Sequence, residues 1–300
     1  MAVNVGQVIG ETEYTTLRSN MSTVMGTPTG TGTGAAGYNQ TITAPSVSVG
    51  TTITAAQWNA LAADINKAYT HQTNSGAGLA TVNTDTGITK TIHDALETTV
   101  ATITSNRFTM NINQSTLSTA SSKTKTNWNG IQIHDVQLTW GSANAVKAFF
   151  NAGGTIKVST SLSYTGSEAK TLDWKSMIND SANVSINYVS AYKDGGGAGG
   201  TISANDGYYD LNTTERKIFQ VGGTNPYSEN DFQIYLRTIT NGVRIRIYYR
   251  DDDTGDQTGT GPAVDENVQG TLTSVISYRR ATGAVDVTAP SVANGGTNTF

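Results

Sequence analysis

The sequence predicts a mainly β chain, α+β overall. Short N-terminal strand–helix modules are followed by an antiparallel, jelly-roll-like β-sandwich with two inserted helices. Three observations lead there. Charged residues are only 14% and hydrophobic residues 36%, with 32 glycines and many Thr, Ser and Asn in their place. Thr suits a pleated surface through its branched Cβ, and Gly, Asn and Ser suit turns. The first hundred residues repeat a helical pattern, and the remainder is dominated by alternating runs. These divide the chain into attachment modules over 1–105 and a sandwich over 106–300.

The repeat is internal. Residues 5–21 (VGQVIGETEYTTLRSNM) and 49–65 (VGTTITAAQWNALAADI) share Val-Gly, then Ile, an aromatic residue, Leu and an apolar residue at equal spacings. A third copy around GITKTIHDALETTV puts His93 in the aromatic position. Steps of three and seven residues place Tyr14, Leu17 and Met21 on one helix face. Trp58, Leu61 and Ile65 form a second such face, and His93, Leu96 and Val100 a third. Gly10 and Thr54 stand where N-caps belong. Helices this short need a surface to pack on, either each other or a partner. The Gly/Thr-rich stretches 27–46 and 73–87 between copies read as flexible or extended linkers.

From about residue 106, period-2 runs predict strands over 131–140, 155–164, 183–192, 217–221, 231–239, 243–249, 270–279 and 284–290. Asn241-Gly242 between two of them signals a hairpin. The stretches 143–150 and 167–180 read as helices, the first ending at a double glycine.

Net charge is −4 with no basic patch, so nucleic acid is not an expected partner. No run reaches the ~18 apolar residues of a membrane span, and no basic-then-apolar leader is visible. With no cysteine, disulfides and Cys-ligated metals are excluded. The three histidines share no ligand spacing. His93 reads as a packing residue. His134, counted by alternation from Gln132, reads as facing the polar side. Asp251, Asp253 and Asp256 form the one carboxylate cluster suited to a hard cation such as Ca²⁺. Gly255 and Pro262 break the EF-hand pattern there, and a solvated acidic tip is the competing reading. The Gly-rich run 193–201 lacks the ending of a phosphate loop. Glu215, Glu229, Asp231 and Asp210 are the remaining carboxylates that a glycosidase pair would need. Tyr208, Tyr209 and Tyr227 are candidates for glycan stacking or for core packing. No motif indicates an enzyme, and no cofactor is expected.

The stretch WNGIQIHDVQLTWGSANAVKAFFNAGGTIKVSTSLSYTG (128–166), with Trp174 beyond it, resembles a module of virion structural proteins from tailed phages of the T4-like marine and cyanophage type. Residues 50–73 resemble the repeated modules that precede it in such proteins. The resemblance implies a structural component of the virion, as a tail, neck or fibre-associated subunit. Its implied partners are other virion proteins and copies of itself, as a trimer or hexamer. The alternatives are a receptor-binding tip that recognises a host surface glycan, or a capsid decoration protein. The resemblance assigns no catalytic or binding residues.

Overall fold

The computed structural model describes residues 9–84, 87–181, 183–195, 199–202, 206–252 and 267–300. Among these residues the chain forms five α-helices and two antiparallel sheets of five and six strands, a mixed α+β fold with a large β share. It divides into two compact units. The first comprises 1–116, 147–154 and 280–289, and the second 117–146, 155–279 and 290–300. The continuous part of the first unit thus runs past residue 105, and two later segments join it.

The first unit is built on three helices, α1 (Glu11–Met25), α2 (Ala55–Thr73) and α3 (Lys90–Ser105), in mutual contact. All nine repeat residues are buried: Tyr14, Leu17, Met21, Trp58, Leu61, Ile65, His93, Leu96 and Val100. The faces that need a surface find it in one another. Local signals start each helix. Thr54 Oγ1 accepts the Gln57 N–H while Gln57 Oε1 accepts the Thr54 N–H at 2.8 Å, a reciprocal cap. Thr89 caps α3, and at α1 the Glu13 carboxylate reaches back to the Gly10 N–H at 3.0 Å.

The described parts of the intervening stretches are tied to the helices at particular points. Buried Asp64 accepts the Thr43 and Ala44 N–H groups at 2.9 and 2.8 Å and the Thr43 hydroxyl at 2.8 Å. Tyr38 is fully buried, with its hydroxyl donating to the Arg107 carbonyl and accepting from Gln72 at 3.2 Å. Asn59 exchanges two hydrogen bonds of 2.9 Å with the Val82 backbone. Glycine serves tight turns as readily as slack chain. Gly37, at φ +99°, has no room for a Cβ beside the Thr27 carbonyl. The segment 147–154 adds Phe149 and Phe150, edge-to-face at 4.9 Å, and Asn151, whose amide donates to the Ala36 and Gly37 carbonyls.

The second unit holds both sheets and is sandwich-like. One has the order β1 (Ser115–Trp128), β10 (Val268–Ala281), β3 (Thr155–Ser163), β4 (Asn183–Ile186) and β5 (Ala191–Lys193). The other runs β11 (Ser291–Asn294), β2 (Gly130–Thr139), β9 (Gly242–Asp251), β8 (Asp231–Ile239), β7 (Arg216–Gly222) and β6 (Thr201–Ile202). Helices α4 (Ala143–Asn151) and α5 (Ala169–Ser181) interrupt the strands in sequence. The β8–β9 hairpin turns at Asn241, which takes the left-handed conformation at φ 53°. Gly242 follows because a Cβ there would lie 2.1 Å from the Leu138 carbonyl.

Trp174 of α5 anchors the core between Trp128 and Tyr249, at ring-centre distances of 5.7 and 6.5 Å. Tyr249 stacks on Phe232 at 5.0 Å. Two expected strands change. Residues 183–192 split into two short strands, and 284–290 contributes only an isolated bridge at Asp286, with β11 starting at Ser291.

Candidate functional site

The sequence candidates are scattered. Asp251 is not part of a solvated tip. It is buried at the end of β9 with Lys170 Nζ 2.9 Å from its Oδ1, both side chains fully covered. Burial pushes the Asp251 carboxyl up, and Lys170 and Trp174 oppose that rise. Asp253 and Asp256, the other members of the calcium candidate, lie outside the described residues. Glu215 pairs with Arg246 at 3.0 Å, and Asp210 accepts the Gly207 N–H at 3.0 Å. Glu229 is exposed. Tyr227 is buried, whereas Tyr208 and Tyr209 are half-buried and edge-to-face at 5.0 Å.

His134 corrects the expected strand phase. It is fully buried, with Nε2 2.8 Å from Ser121 Oγ of β1 and Nδ1 2.9 Å from Ser274 Oγ of β10. The inward set on β2 is Gln132, His134, Val136 and Leu138. Ile131 and Ile133 suggested the opposite phase, but the imidazole satisfies hydroxyls of the facing sheet and so belongs inside. His71 is also buried, with Nε2 3.1 Å from the Ala152 carbonyl. Burial lowers the pKa of each of these two rings to about 4.

The outward face of the six-stranded sheet gathers charged and aromatic side chains. Cross-strand register aligns Asp135 with Arg246, Arg246 with Tyr235, Tyr248 with Gln233 and Arg250 with Asp231. Asp135 is covered completely by its partners. Arg244 binds its carboxylate with two guanidinium nitrogens, one at 2.8 Å, and Arg246 Nε reaches it at 3.2 Å. Asn298 grips the Asp135 backbone in both directions, at 2.8 and 3.0 Å. Burial alone would push the Asp135 carboxyl up, but the two guanidinium groups outweigh it and hold the carboxyl below its ordinary value. Arg246 also donates to the Tyr248 hydroxyl at 3.1 Å. Arg250 lies over the Tyr248 ring at 4.8 Å, and the Tyr235 and Tyr248 rings meet edge-to-face at 5.4 Å.

This face offers fixed planar cations and aromatic surface side by side. Such groups recognise carboxylates, polyols and the polar rims of other proteins. The signal for it lies in VRIRIYYR, where alternation places Arg244, Arg246, Tyr248 and Arg250 together. Reading that run only as a strand misses its outward half. In comparisons with known proteins, no family model matches the chain, and neither a curated protein nor a solved structure does.

Proposed function

We propose that the chain is a non-enzymatic structural component of a tailed-phage virion, a tail, neck or fibre-associated subunit. In this reading it docks to other virion proteins through the outward face of the six-stranded sheet. The observation that supports it most is the Asp135–Arg244–Arg246–Tyr248–Arg250 array, which holds cations and aromatic rings in register on a partly exposed sheet face. Attachment through the repeat residues themselves is set aside, because those side chains are buried against each other. The jelly-roll-like description of the sandwich belongs to the same proposal. The chain's switching between sheets from β1 to β2 to β3, and again from β9 to β10 to β11, supports it.

The test is incorporation. Particles of the encoding phage are purified with the wild-type chain and with a variant carrying Arg246→Ala, Tyr248→Ser and Arg250→Ala. The proposal expects stoichiometric wild-type chain by mass spectrometry and depletion of a variant that remains folded by circular dichroism. Absence of the wild-type chain from particles, or full incorporation of the folded variant, overturns it. Partly exposed tyrosine beside arginine also favours a second reading, a glycan-binding tip. Binding of the wild type, but not the triple variant, on a glycan array distinguishes that reading.

A further inference from the structure

A second constellation sits in the helical unit, away from the sheet face. A cleft of about 430 Å³ between α1 and α3 is lined by Glu13, Leu17, His93, Glu97 and Val100. His93 and Glu97 line it, and one donor atom each from His93, Asp94 and Glu97 lie within 4.8 Å of one another. His93 and Glu97 are four residues apart and so share a face of α3. Asp94 bends back toward them, with Oδ1 3.4 Å from His93 Nδ1.

The imidazole supplies an independent observation. His93 is only 2% exposed, yet among the described residues its Nε2 makes no hydrogen bond. A buried imidazole ordinarily uses both nitrogens, as His134 does between two serine hydroxyls. Here one nitrogen is oriented by a carboxylate and the other is left over in an acidic cleft.

We propose that His93, Asp94 and Glu97 form a binding site for a first-row divalent transition metal, with Zn²⁺ and Mn²⁺ as the representative ions. One imidazole with two carboxylates is a borderline donor set that favours these ions over Mg²⁺ and Ca²⁺, which take all-oxygen shells. Metal–donor bonds of about 2.0–2.2 Å bring donors closer together than the 4.8 Å span seen here. Rotation of the partly exposed Asp94 and Glu97 side chains about a fixed His93 closes that gap. Glu13 adds negative charge to the opposite wall. Lys90 is the built-in competitor, since its ammonium is paired with Asp94 Oδ2. Metal binding must displace that ammonium or share the carboxylate with it.

The test is isothermal titration of the whole chain with ZnCl₂ and with MnCl₂, using CaCl₂ as the contrast. Imidazole nitrogen shifts are followed by NMR. The wild type is expected to bind one equivalent of Zn²⁺ or Mn²⁺ and to move the His93 ring nitrogens. Glu97→Gln, at a partly exposed position, should bind about tenfold or more weakly at unchanged melting temperature without metal. Lys90→Ala should bind several-fold more tightly. Three results overturn the site: no binding of either ion at 100-fold molar excess, Glu97→Gln binding as the wild type does, or His93 nitrogens that stay fixed while metal binds.

Discussion

His134 makes the sandwich core sensitive to acid. Its ring is buried between Ser121 and Ser274 and has a pKa of about 4. Burial is the main cause, the Lys123 ammonium adds to it, and Asp135 opposes it. In the unfolded chain the same ring titrates near 6.5. Between those values the unfolded state binds more protons than the folded one, so stability falls as pH drops from 6.5 toward 4 and the loss levels off below that. A depression from 6.5 to about 4 corresponds to a loss of about 3 kcal/mol at most. Asp231 and Asp251, whose carboxyls burial pushes up, act in the opposite sense at the lower end. The quantity to read is therefore the difference between the wild type and His134→Gln, which retains a donor and an acceptor but does not titrate. Urea unfolding of the second unit, followed by tryptophan fluorescence at pH 7, 6, 5 and 4.5, supplies it. The variant is expected to lose about 1–3 kcal/mol at pH 7. That deficit should shrink by most of the histidine contribution at pH 4.5. A constant deficit across the series, or a His134 ring that titrates near 6.5 by NMR, refutes the reasoning.

Three further perturbations test the packing. Lys170→Met leaves the Asp251 carboxylate buried beside no cation, and urea melts should show a loss of about 3–5 kcal/mol. The double variant Lys170→Met with Asp251→Leu should recover most of it, because two apolar groups remove the stranded charge. Trp58→Ala empties a fully buried site in the helical unit and should cost about 3–5 kcal/mol, read as an earlier loss of helical circular dichroism. Lys123 and Lys125 lie on β1, an edge strand of 14 residues. The Lys123 charge reaches His134, and Lys125 Nζ lies 3.3 Å from the Thr299 carbonyl, so both point inward. Inward charge on an edge discourages pairing with another chain, and Lys123→Val with Lys125→Val should therefore produce concentration-dependent aggregates by light scattering.

Legibility in the sequence followed physical cause. The three helical faces were visible because each repeats the same spacing, and a buried face leaves that spacing in the sequence whatever it packs against. Whether they would meet each other or a partner could not be read, since spacing reports one surface and not its complement. β1 has no local signal because STLSTASSKTKTNW has no apolar alternation. As an edge strand it buries only part of one side, and Ser121 there serves the His134 bridge. The phase of β2 is hidden for a related reason: its inward positions include Gln132 and His134, so polarity does not mark the outside. Asp251 looked like part of an acidic tip because its partner, Lys170, lies far away in sequence. The outward arginines were legible in VRIRIYYR, but their orientation by Asp135 and Asn298 depends on β2 and the C-terminal segment and has no local signature.

The same facts bear on how such a chain could serve an assembly. Only 36% of its residues are hydrophobic, so the interior is completed by polar groups bonded across long sequence separations: His134 to two serines, Asp64 to the 43–44 backbone, Lys170 to Asp251. Each is stable only while both partners are in place, which ties these groups to the fold and leaves none over for a partner. The outward sheet face differs in one respect. Arg244 and Arg246 are held by Asp135, but Arg246, Tyr248 and Arg250 keep part of their surface open. A partner carboxylate arriving there meets guanidinium groups whose orientation is already fixed, so little side-chain entropy is lost on contact. Binding at that face would then be limited by desolvation of the arginines and weakened by salt. That property distinguishes it from an apolar docking patch and makes ionic strength the first variable to change in any assembly assay.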